Sequence, residues 1–122
     1  MTTTAALYQF FSSFGINAYP VNSVPEKVQF PWLTYETTLG NWGDAPISIG
    51  VNLWYHTESE AAPNAKVKQI SDAIGRGGVM LACDDGVIWV KRGEPWCNSL
   101  TDANDSTIKQ RVLNISLEFL IT

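Results

Sequence analysis

The chain has a single histidine, two cysteines, and no apolar run near the roughly 18 residues that a membrane-spanning helix needs. Each shortage excludes something. A helical membrane anchor is ruled out, so no membrane partner is expected. With His56 alone, at most one Ser-His-Asp or Cys-His relay could be built. That residue ends an alternating segment beside a helix start, which suits a surface or capping role better than a catalytic base. Cys83 and Cys97 stand far apart and in no metal-ligand spacing, so both read as free thiols. The opening MTTTAALYQFF lacks the basic start and cleavage motif of a secretory signal, and the expected compartment is a cytoplasm. Basic residues are also few. Eight Lys plus Arg against twelve Asp plus Glu give a net charge of −4, and such a chain repels phosphate instead of gripping nucleic acid.

What the chain does have is apolar side chains in regular phase. Its 122 residues suffice for one domain, 1–122, with a proper core. The spine is Arg111–Ile121, where Leu113, Ile115, Leu117, Phe119 and Ile121 alternate with Asn114, Ser116 and Glu118. A period of two marks a strand with one face buried and one wet. Such a strand should have neighbours on both sides. Alternation recurs at Trp32–Thr38 and Ile47–Tyr55, expected to form a long hairpin, and at Val79–Cys83 and Val87–Lys91, joined by Asp84-Asp85-Gly86. A short edge strand fits Ile16–Tyr19.

Two stretches follow the helical period. Leu7, Phe10, Phe11 and Phe14 share one face of a helix near residues 4–14, with Thr3 or Thr4 as its cap and Gly15 as its stop. Val67, Ile70 and Ile74 do the same near residues 60–75, where Thr57 and Glu60 have capping-box spacing and Pro63 suits the first turn. The expected class is α+β, a mostly antiparallel β-sheet with two α-helices packed on one face.

Candidate sites are sparse. Asp84 and Asp85, with Asp102 and Asp105, could form an oxygen cage for a cation, but Asp-Asp-Gly already has turn chemistry and TDANDS lacks calcium-loop order. The GRGG at Gly75–Gly78 has no strand directly before it and no GK[ST] after it, so it reads as a helix stop and not a phosphate loop. Arg76, Lys91 and Arg92 make a thin basic cluster. No catalytic, cofactor or metal residue is assigned. Five tryptophans are many for this length. Trp42 and Trp96 fall in polar stretches and Trp54 on the wet face of its strand, so these three and Leu100 are the interface candidates. The polar run Gly93–Thr107 has little to bury and reads as a mobile docking loop anchored by Trp96; removing Leu100–Asp105 is expected to spare the spine.

The order of segments then becomes informative. FPWLTYE at Phe30–Glu36, NLWYHT at Asn52–Thr57, IGRGG at Ile74–Gly78, DDGVIWVKRGEPW at Asp84–Trp96 and IKQRVLNISLEFL at Ile108–Leu120 follow one another. Together they resemble the tail terminator, or tail completion, proteins of long-tailed bacteriophages and their prophages. The resemblance covers nearly the whole chain, though each motif alone is only a strand with a turn. It implies helices on an antiparallel sheet and a homohexameric ring in the virion tail, assembled in the host bacterial cytoplasm. The implied partners are further copies of the chain, the tail tube protein and the head–tail connector, with DNA passing through unbound. It implies no catalysis and no cofactor. The alternatives are another connector or tube-associated protein, or a small metal-binding or hydrolytic domain using the four aspartates.

Overall fold

The structure, a computed structural model that describes residues 1–121, has eight elements. They are α1 (Thr3–Ser12), β1 (Asn17–Pro20), β2 (Trp32–Tyr35), β3 (Ile47–His56), α2 (Ala61–Ile74), β4 (Val79–Ala82), β5 (Val87–Thr101) and β6 (Ile108–Leu120). The strands form one six-stranded sheet in the order β1-β2-β3-β6-β5-β4. Only β1 and β2 run parallel; every other pair is antiparallel. The α+β class and the mostly antiparallel sheet expected from the sequence hold.

Strand β6 is the spine, paired along its length with β3 on one side and β5 on the other. Its odd residues Leu113, Ile115 and Leu117 are fully buried, and they lie opposite Val51, Ile49 and Ile47 of β3. Leu7 and Phe11 of α1 and Ile70 and Ile74 of α2 join the same apolar cluster, which puts both helices on that one face. Each such side chain contributes roughly 1.5–3 kcal/mol on burial, before entropy. The sheet curls, so α1 touches both of its edge strands, β1 and β4, while α2 lies against β3, β5 and β6.

Four local expectations need correction. First, the cap of α1 is Thr2, whose hydroxyl accepts the Ala5 N–H at 3.1 Å, not Thr3 or Thr4. Second, no capping box forms at α2. Thr57 instead accepts from the Ser59 N–H and Ser59 from the Ala61 N–H, while the Glu60 carboxylate is drawn to Arg111. Third, strand β2 stops at Tyr35: the Glu36 N–H still donates to the Gly50 carbonyl (3.1 Å), but the Gly50 N–H goes to the Glu36 carboxylate (2.8 Å) and not to a backbone carbonyl of the ladder.

The fourth correction is the largest. Most of Gly93–Thr107 is not a loop: β5 continues to Thr101, and only the turn beyond it is irregular. A register shift between Arg92 and Cys97 lets two strand segments pair with one β6. Past the shift, Cys97 to Thr101 bond to Leu113 through Lys109. Backbone ladders need no apolar side chains, so a polar composition does not forbid a strand. Because Leu100 and Thr101 pair with Gln110 and Lys109, removing Leu100–Asp105 would cut into the spine's own partner.

Burial also holds a surprise at the start of β6. Arg111 is only 2% exposed and points to the helix side. It donates to Asn64 Oδ1 from Nε (3.3 Å) and Nη2 (3.0 Å), pairs with Glu60, and reaches the Gln110 carbonyl at 3.2 Å. The first turn of α2 is thus tied to the spine by one guanidinium.

Two outcomes follow from this packing. Leu117→Ala should lose about 2–5 kcal/mol of unfolding free energy in a urea titration, as core truncations do; a loss under about 1 kcal/mol would mean β6 is not the centre of the core. Glu60→Ala leaves the buried guanidinium to Asn64 and the Gln110 carbonyl, with no acid beside it, and should cost about 1–3 kcal/mol, less than for a fully buried pair because Glu60 is half exposed. Arg111→Met keeps the apolar stem without the charge and should stay within about 1 kcal/mol of the parent chain. Equal losses from the two changes would contradict the tether.

Candidate interface

The helices cover one face of the sheet and leave the other open. On the open face, Trp32 of β2 lies opposite Trp54 of β3, Trp54 opposite Gln110 of β6, and Gln110 opposite Leu100 of β5. These four side chains form one row across the sheet. The Trp32 and Trp54 rings stack at 4.3 Å with 17° between planes, and Tyr19 tilts against Trp32 at 6.4 Å. Gln110 donates to Asn52 Oδ1 at 3.0 Å, filling the polar gap in the row. Leu100 is 49% exposed at its end. With strands about 4.8 Å apart, Trp54 and Leu100 stand about 10 Å from each other. Two of the interface candidates therefore share one surface, and Trp32 belongs with them. Sequence reasoning left Trp32 out because its partner across the ladder is set by register, which residue spacing does not reveal.

The other two candidates sit elsewhere. The Trp42 ring meets Phe119 edge-on at 5.5 Å and 82° and packs against the core. Trp96 also packs against the core, and its indole N–H has no hydrogen-bond partner among the described residues. Neither presents a whole ring to solvent. A separate apolar groove of about 530 Å3 opens between α1 and the β1–β2 end, where Tyr8 and Leu39 are half exposed.

The aspartates do not converge. Asp84 and Asp85 precede β5 and Asp102 and Asp105 follow it, and the ends of β5 lie opposite Leu120 and Lys109 of β6, roughly 36 Å apart at strand spacing. Asp84 Oδ1 takes the terminal ammonium of Met1 at 2.5 Å, and that bond raises the amine's pKa. Asp102 accepts the N–H groups of Asn104 (2.8 Å) and Asp105 (3.0 Å), closing its own turn. The Thr107 hydroxyl, and then its N–H, hold the Asp105 carboxyl below the usual range. Among the described residues no group of three or more His, Cys, Asp or Glu could hold a metal ion. His56 is exposed, its ring 5.6 Å from Phe30, and no acid or nucleophile bonds to it among the described residues.

The basic cluster is better formed than its spacing suggests. Arg76, Lys91 and Arg92 line one groove of about 400 Å3 with Gly93, Glu94 and Trp96. Lys91 lies 3.9 Å over the Trp89 ring and 3.3 Å from Glu118, and Arg92 donates to Ser71 at 2.8 Å. Sequence separation hid this, since Arg76 arrives from the end of α2 and the others from β5.

No helix among the described residues is long and apolar enough to cross a membrane. No family model, curated protein or solved structure matches the chain.

Burial pushes both the Cys83 and the Cys97 thiols above their ordinary value. A raised thiol carries less reactive thiolate near neutral pH. Alkylation by iodoacetamide at about pH 8 should therefore be slower in the folded chain than in urea, and should gain rate as pH rises. Equal folded and unfolded rates would show that neither thiol is shielded.

Proposed function

We propose that this chain is a structural virion protein, the tail terminator subunit of a long-tailed phage or prophage. Copies of it form a ring, a homohexamer on the tail, that stops tube growth and joins tail to head. Its partners are its own copies, the tail tube protein and the head–tail connector. DNA passes through the ring without being held. The role involves no catalysis, and the protein resides in the virion tail after assembly in the bacterial cytoplasm.

The observation that carries this reading is the ordered set of resembling segments and where they fall. Phe30–Glu36 contains β2, Asn52–Thr57 ends β3, Ile74–Gly78 closes α2, Asp84–Trp96 spans most of β5, and Ile108–Leu120 is β6. The resemblance therefore follows the framework of the sheet and not scattered loops. An open sheet face with a Trp32–Trp54–Gln110–Leu100 row supports an assembly role, since large aromatic side chains with polar neighbours suit protein contacts. The dispersed aspartates and the exposed His56 lend no support to the metal-binding or hydrolytic alternative.

Electron microscopy of tails made with and without the protein tests the proposal. Its absence should give tails of irregular, excessive length that do not join heads, and labelled protein should sit at the head-proximal tube end. Tails of normal length that fail to join heads would point to a neighbouring connector instead. Normal tails on infectious particles would end the structural reading altogether.

A further inference from the structure

The groove at Arg76, Lys91 and Arg92 gathers three of the chain's eight basic residues in a molecule of net charge −4. Glu94 is the one acid in its lining and Glu118 pairs with Lys91 at 3.3 Å, so the groove keeps one net positive charge, three minus two. It lies where α2 has just ended and β5 shifts register, and Trp96 forms part of its wall. Arg76 is exposed and enters no ion pair among the described residues. A concave site of this sign attracts an acidic partner.

The same chain offers one elsewhere. Asp102 and Asp105 stand exposed on the turn joining β5 to β6, and neither forms an ion pair among the described residues. Their bonds to the Asn104, Asp105 and Thr107 N–H groups fix the turn, so the two charges are held on an ordered tip. Asp84, by contrast, is already paired with the terminal ammonium. Arg92 lies opposite Ile115 of β6 and Thr101 opposite Lys109, about 20 Å apart at strand spacing, farther than the two side chains can span, so a tip cannot reach its own groove.

We propose that the Asp102–Asp105 hairpin tip of one copy docks in the Arg76–Lys91–Arg92 groove of the next. Tip and groove are different surfaces, so the contact is head to tail and can be repeated around a closed ring. This deepens the ring proposal and depends on it for closure, but the contact itself can be measured on the isolated chain.

Charge exchange provides the test. One variant reverses the groove by Arg76→Glu with Arg92→Glu. A second reverses the tip by Asp102→Asn, Asp105→Asn, Ala103→Lys and Asn104→Lys, in which asparagine side chains can still accept the turn's N–H bonds. Thermal melts establish that both are folded, and the single changes Arg76→Glu and Asn104→Lys serve if either is not. Sedimentation equilibrium is run up to about 1 mM subunit, where a contact with a Kd of about 1 mM is well populated. The parent chain should associate, and should do so less as salt rises from about 0.1 M to about 1 M and the Debye length shrinks from about 10 Å to about 3 Å. Each variant alone should be monomeric, because its tip and groove then repel. Their equimolar mixture should associate at least tenfold more tightly than either alone, since each tip meets an opposite groove. A parent chain that stays monomeric at the highest concentration overturns the proposal. So does either variant associating like the parent, which would indicate another acidic patch such as Asp85, or a folded mixture that stays monomeric. A negative result here, alongside overlong tails in the absence of the protein, would remove this contact and leave the terminator reading standing.

Discussion

The period of two along β6 is the constraint on which the other elements depend. Its odd side chains must all face one way, so β3 and β5 can pair with it only in registers that bring Ile49, Val51, Ile88 and Val90 to that same face. A slip by one residue would turn every one of them toward water. Both helices then have one surface to cover, and α1 is drawn across it to meet the two edge strands. The uncovered face inherits the even residues, Gln110, Val112, Asn114, Ser116 and Glu118, all partly buried among their neighbours. An antiparallel sheet tolerates this arrangement because side chains on its open face need not be apolar.

Where local pattern and tertiary need agreed, the sequence was legible. The helical stripes Leu7–Phe11 and Ile70–Ile74, the alternation of β3 and β6, and the Asp-Asp-Gly turn are all short-range signals, and each survives in the fold. Polar composition was the poor guide. Asn98, Ser99 and Thr101 look like loop residues, yet β6 extends far enough to give them a hydrogen-bonded partner, and the shift at Arg92 conceals the phase of the strand. The sequence pattern begins at Arg111 because that is where apolar residues start. The strand itself begins three residues earlier, at Ile108, with Lys109 buried on the same side.

The interface candidates illustrate the same division. That Trp54 lies on the wet side of β3 follows from alternation alone. That Trp32 stacks on it and Leu100 ends the same row follows from pairing across β2, β3, β6 and β5, which only the three-dimensional register supplies. The loop at Trp42 had no periodicity to say whether its ring turned out or in. Gly86 leaves no room for a side chain beneath that ring, its would-be Cβ lying 2.8 Å from two of the indole carbons. The indole instead covers the β4–β5 turn and meets Phe119 at the end of the spine.

Glu60 shows how a local rule yields to a global one. At capping-box spacing it could have served the backbone at the start of α2, a contribution of about 1 kcal/mol. It is used instead by Arg111, a guanidinium that the phase of β6 places among buried side chains. Without an acid beside it, that charge would be desolvated and left to the Asn64 amide oxygen and one carbonyl. A buried charge missing its partner costs more than a missing cap, so the carboxylate belongs to the strand, and Thr57 and Ser59 take over the turn ahead of the helix. The helix start is thereby fixed to the central strand at one point and to the core through Ile70 and Ile74 at another. Two separated attachments define its angle across the sheet. They also place its far end, and with it Arg76, beside Arg92 of β5, so the assembly of the basic groove traces back to the side chain that anchors the opposite end of α2.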